Sequence, residues 1–182
     1  RILGINCMNH DAAMAVVEIK DGIGKILWAA HAERYSKIKN DHYLNQAIVD
    51  EAMTYGPFKK VVYYEKPWLK KTRQLYAGQY GTAFSYTEMP QWHLDHFKIK
   101  IDEYVKHHDS HAAAGYFTSP FTDATILTVD AIGEWDTVSI STANKIWIER
   151  KDTIKYPHSL GILYSAFFDY INNYTIYTYS CN

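Results

Sequence analysis

Cysteine is nearly absent. Cys7 and Cys181 stand near opposite ends of 182 residues, so they offer neither a disulfide framework nor a paired-cysteine metal site, and both read as reduced thiols. No apolar run approaches the length of a membrane-crossing helix, and the opening RILGINC is a short strand-like run without a signal-peptide core. A cytoplasmic location is the expectation. Charge of one sign is not in excess either: a formal net charge of −1 gives no polyelectrolyte character, which disfavours nucleic acid and membrane surfaces as partners. There is no internal repeat, no low-complexity tract and no Gly-x-x-x-x-Gly-Lys-Ser/Thr loop to cradle the three phosphates of a nucleotide.

What the chain does have is histidine in a telling place. The run from Lys106 reads KHHDSHAAAGYF, followed by TSPFTD, the apolar run ATILTVD and the turn AIGEWD. A helix over Val105 to Tyr116 puts His107 and His111 four apart on one face, while His108 points about 100° away. Ala124 to Val129 reads as a buried strand, with Asp130 at its carboxyl end, where α/β sheets present functional side chains. Two histidines four apart also fit a polar helix face; the acidic strand end that follows favours a ligand set. Two imidazoles and one carboxylate leave coordination positions open, as iron(II) sites of this donor type do, and the set also suits zinc or manganese.

Before that run, apolar stretches at Ile2 to Asn6, Ala12 to Ile19 and Lys25 to Ala32 are broken by polar turns and predict antiparallel strands joined by hairpins. Asn45 to Tyr55 has helical periodicity ending at Gly56-Pro57, and Val61 to Tyr64 predicts a fourth strand. Trp68 to Tyr104 is aromatic and polar, with Tyr76, Tyr80, Tyr86, Trp92 and His93; amphipathic helices packing those rings on the lobe are expected, and an acceptor-recognition surface is the alternative. After Asp130 come strands at Thr137 to Ser141 and Lys145 to Glu149. A helix over Leu160 to Ile171 follows, capped by Ser159, with Leu160, Leu163, Tyr164 and Phe167 at core-facing spacing.

Three ordered motifs, HHDSHAAAGYFTSPF, LTVDAIGEWDT and PHSLGILYSAFFDY, resemble the signature of the O-carbamoyltransferases that decorate nodulation factors and antibiotics. The resemblance reaches the amino terminus through Gly4-Ile5-Asn6, His10-Asp11-Ala12, Glu33-Arg34, Ser36 and Lys39-Asn40-Asp41; the family's Phe-Pro is here Tyr43-Leu44, read as a change in packing. It implies an α/β, ribonuclease-H-like fold of the actin, Hsp70 and sugar-kinase superfamily. The expected layout is a first lobe over 1–119 with a helical insert at about 68–104, then an incomplete second lobe over 120–182.

The resemblance also implies a chemistry: transfer of a carbamoyl group from carbamoyl-adenylate, itself made from carbamoyl phosphate and ATP, to an acceptor hydroxyl. Such transfer needs a base, an electrophile-stabilising centre and donors for the adenylate phosphate. His10 is the candidate base, since histidine titrates close to neutral pH, and Asp11 would orient it. A divalent metal on His107, His111 and Asp130, iron(II) before zinc or manganese, would polarise the carbonyl or hold the phosphate. Asn6, Glu33, Arg34, Lys39, Gly133 and Glu134 are candidates for substrate or phosphate binding, Gly133 because it allows backbone to approach an anion. The adenylate-forming step would fall to a carboxyl-terminal domain or partner chain. Two alternatives remain: a tRNA threonylcarbamoyl transferase, whose His-x-Glu-Gly-His pattern is here His-His-Asp-Ser-His, and a truncated, inactive binding module.

Overall fold

The computed structural model describes residues 1–179, with side chains as far as Asn172; Cys181 lies outside the described residues. Contacts divide the chain into Arg1–Lys106 and His107–Asn182.

In the first unit, β1 (Ile2–Asn6), β2 (Ala13–Lys20) and β3 (Ile23–His31) form antiparallel pairs, as the hairpin signals predict. Alternation puts Leu3 and Ile5 of β1 and Met14 and Val16 of β2 into the core. After the short α1 (Glu33–Ser36), α2 (Gln46–Met53) begins at Asn45, whose side chain accepts the Ile48 N–H at 3.2 Å. It buries Ile48, Val49 and Ala52 over β2 and β3. The next strand, β4 (Lys60–Tyr63), pairs parallel to β1. Then come α3 (Pro67–Tyr76), α4 (Tyr80–Phe84), a 3-10 turn (Tyr86–Glu88) and α5 (Pro90–Asp95), before β5 (Glu103–Tyr104) pairs parallel to β4. The sheet order is β3-β2-β1-β4-β5, a mixed sheet with helices, so the chain is α/β. Cys7 is a free thiol fully buried at the end of β1, and burial pushes it up to about 12, which leaves it inert at neutral pH.

The aromatic insert departs from expectation. Tyr76, Tyr80 and Tyr86 are exposed, as is Phe84, while Leu94 of α5 reaches the core cluster and Phe97 and Tyr104 pack against it. Trp92 and His93 are half-buried and make ring contacts with His96 and Phe97.

The second unit runs α6 (His107–Phe117), β6 (Asp123–Gly133), β7 (Asp136–Asn144), β8 (Trp147–Lys155) and α7 (Leu160–Tyr179). Its sheet order is β6-β7-β8, antiparallel throughout. The division falls at Lys106, ahead of the boundary expected near 119, because α6 packs on β6 and β7. β6 is not the buried strand that its apolar run suggests. It lies at an edge of the described sheet, and Leu127 and Val129 are exposed. The core-facing spacing of Leu160, Leu163, Tyr164 and Phe167 likewise marks a shared helix face, but all four are exposed. Among the described residues no helix is long and apolar enough to cross a membrane.

The first turn of α7 is seated tightly. Ser159 Oγ accepts the Ile162 N–H at 3.1 Å, confirming the cap, and donates to Ala131 O at 2.7 Å. A Cβ at Gly161 would fall 2.7 Å from both N and Cα of Ala131 and 2.8 Å from Asp130 O, all backbone atoms that cannot swing aside. Gly161→Ala is therefore expected to cost about 3 kcal/mol, the upper end of the overpacking range, visible as a lowered melting temperature of the chain. Unchanged melting would show that α7 does not sit this close to β6.

Candidate metal centre

The first turn of α6 is where backbone and side chains converge. Glu134, in the β6–β7 turn at φ +63°, is 4% exposed, and its Oε1 accepts the His107 N–H at 3.2 Å. An anion belongs there, since helix N-termini present unsatisfied N–H groups and the positive end of the helix dipole. Glu134, expected to contact substrate or phosphate, is in place a cap for the helix that bears the histidines. Beside it, a Cβ at Gly133 would lie 2.5 Å from His107 Cδ2 and 2.8 Å from His108 Cδ2. The close approach that Gly133 permits is thus made by two imidazoles, where the sequence suggested an anion.

Seated this way, His107 is buried and faces both expected partners. Its Nε2 lies 3.0 Å from His111 Nε2 and 2.9 Å from Asp130 Oδ2, and the three ligand atoms all fall within 4.8 Å of one another. Asp130 sits where the β6–β7 register breaks after Val129. The hydrogen bond from His107 holds its carboxyl down at about 2, against a smaller opposing effect of burial. An ion with bonds of about 2.1 Å places adjacent ligands about 3 Å apart; both separations from His107 Nε2 match this, and His111 and Asp130 would close on each other for all three to share one divalent cation.

His108 is 1% exposed and turned away, as the helical geometry requires; its Nδ1 is 2.9 Å from Ser139 Oγ on β7. Burial pushes its pKa down, which keeps it a neutral packing group. Arg150 on β8 completes the seat: Nη1 donates to Asp136 on β7 and Nη2 to Asp109 on α6. One guanidinium thereby ties the histidine helix to two strands.

The remaining candidates lie in the first unit. His10 Nδ1 is 2.8 Å from Asp11 Oδ2 in the exposed β1–β2 turn, and Asn6 Nδ2 donates to Asp11 O at 3.2 Å. Glu33 is occupied locally, accepting the Asn40 N–H at 3.2 Å with Arg34 Nη2 3.7 Å away; Arg34 and Lys39 are exposed. The change from Phe-Pro to Tyr43-Leu44 alters hydrogen bonding as well as packing, because Leu44 brings an N–H that proline lacks and His93 Nε2 accepts it at 3.1 Å.

The carbamoyltransferase N-terminus family matches residues 64–176, more than half of the chain. The chain belongs to this family. His107, His111 and Asp130 lie inside the matched carbamoyltransferase range, and His10 and Asp11 lie outside it. An uncharacterized protein of Synechocystis sp. is 31% identical over 91% of this chain, which spans only 31% of that protein's length. Two solved structures from Aquifex aeolicus are also similar: a PPX-GPPA enzyme at 12% identity over 91% of this chain and 55% of its own (TM-score 0.46), and a Ppx/GppA phosphatase in a type II variant at 13% over 89% and 53% (TM-score 0.40). Likenesses that low bear on neither fold nor activity.

Proposed function

We propose that this chain is the amino-terminal portion of an O-carbamoyltransferase, which moves a carbamoyl group from carbamoyl-adenylate to an acceptor hydroxyl. The observation that carries the reading is the convergence of His107, His111 and Asp130 within a chain of the carbamoyltransferase N-terminus family. These three residues would hold a divalent ion, with iron(II) favoured by the donor set, and the ion would supply Lewis-acid polarisation of a carbonyl or phosphoryl oxygen. His10, oriented by Asp11, would take the proton of the acceptor hydroxyl. Asn6 keeps the carbonyl of that turn in place, and the exposed Arg34 and Lys39 would be candidate cations for an adenylate phosphate.

The fold supports the same reading. Antiparallel strands ordered 3-2-1 with a parallel fourth beside the first are what a ribonuclease-H-like lobe requires, and β8-β7-β6 repeats the first three before α7. Activation of carbamoyl phosphate by ATP would fall to a carboxyl-terminal adenylate-forming domain or partner chain, in the cytoplasm. The test uses labelled carbamoyl phosphate with ATP and a hydroxyl acceptor, given to this chain alone and to the longer protein that contains it. Label should reach the acceptor only with the longer protein. Labelled carbamoyl-AMP from this chain alone, or transfer from the longer protein only to threonine on tRNA, would overturn the assignment.

A further inference from the structure

The β1–β2 turn that carries His10 is held in an uncomfortable shape. Met8 and Asp11, on either side of His10, have φ of +69° and +52°. Residues other than glycine hold such angles only where their surroundings over-determine them. Asn6 Nδ2 donates to Asp11 O from β1, and one loop supplies the backbone contacts. Met8 N–H donates to His42 O at 2.8 Å, and Ala12 N–H donates to Asp41 O at 2.7 Å, so adjacent carbonyls of the 41–44 loop clamp both ends of the turn.

The loop is itself pinned from the other side. Within it, Tyr43 N–H donates to Asp41 Oδ1 at 3.0 Å; at its far end, Leu44 N–H donates to His93 Nε2 on α5 at 3.1 Å. An imidazole accepts a hydrogen bond only when neutral. The groups that face His93 are His96 and Phe97 from the end of its own helix and Asp41 and Tyr43 from the loop, with ring centroids 5.4 Å away for both Tyr43 and Phe97. Half-burial, then His96, push its pKa down against smaller opposing effects.

We propose that His93 is a positioning residue for the His10 turn: while neutral it latches the 41–44 loop against the turn, and on protonation it lets the loop and the turn relax together. The proposal rests on the reading of this turn as the transfer site only for its functional meaning; the latch exists or fails independently. Because the folded pKa is depressed, the latch contributes fully above the ordinary histidine range and weakens as pH falls through that range to the lowered value.

Amide hydrogen exchange on the 182-residue chain tests this without any activity measurement. Protection at Leu44, Met8 and Ala12, corrected for the intrinsic pH dependence of exchange, should fall together by roughly three- to tenfold as His93 protonates, while Val16 in the core of β2 stays protected. His93→Gln offers a carbonyl acceptor that does not titrate and should make protection at all three amides independent of pH. His93→Leu should show the loss at every pH; should it fail to fold, the wild-type and glutamine profiles alone decide. Loss at Leu44 with Met8 and Ala12 unchanged, or no pH-dependent loss at any of the three, overturns the latch. Failure of carbamoyl transfer with the latch intact would instead count against the reading of His10.

Discussion

Elemental analysis of the purified chain is expected to give about one equivalent of divalent metal, and His107→Ala to bring that close to zero. The expectation follows from the ligand geometry: His107 Nε2 stands between His111 and Asp130, so its removal takes away the shared vertex of the set. Disturbing a group that merely orients a ligand costs about 10–100-fold in metal affinity, and loss of a ligand should cost at least the upper figure. His111→Ala should behave alike. His108→Ala, by contrast, should keep its metal, since that ring points to Ser139. Wild-type stoichiometry in both the His107 and His111 variants would show that the cluster is a polar seat and nothing more.

A second large effect is expected at His10. When the chain is joined to the proposed adenylate-forming domain, His10→Asn should lower the proposed carbamoyl transfer by about 10²–10⁴-fold, the usual contribution of a positioned general base. Asparagine keeps a polar side chain in an exposed turn, so the melting temperature should move little. The contrast separates chemistry from folding: His10 is exposed and its ring contacts Asp11 in the same turn. A marked fall in stability with turnover intact would reverse the assignment and make His10–Asp11 a brace for the turn.

How much of this could be read from the residues alone depended on the range of each interaction. The Ser159 cap and the His107/His111 pair were legible because helical geometry fixes which neighbours in sequence meet. The three amino-terminal strands were legible from alternation and turn residues. Seating the histidine helix was not. Glu134 reaches a backbone N–H 27 residues away and Arg150 reaches Asp109 across 41, and no local pattern announces such pairs. Gly133 illustrates a subtler failure: glycine signalled close approach correctly, but only coordinates show that imidazoles make it. At Leu160, Leu163, Tyr164 and Phe167 periodicity identified a common face; it carries no information about what covers that face.

The stretch from the end of β6 into the turn that follows also sets a rule about chain length. Between Asp130 and Glu134 it holds a candidate ligand, the glycine under the imidazoles and the cap of the helix that presents them. Side chains along a strand alternate between faces, so one inserted or deleted residue would send the carboxylate of Asp130, the gap at Gly133 and the cap at Glu134 out of alignment at once. The exposed Asp21-Gly22 turn between β2 and β3 has no such duties and should accept added residues readily. Among natural variants of this chain, length should therefore drift at Asp21-Gly22 and stay fixed from Asp130 to Glu134, even where the identities of the residues change.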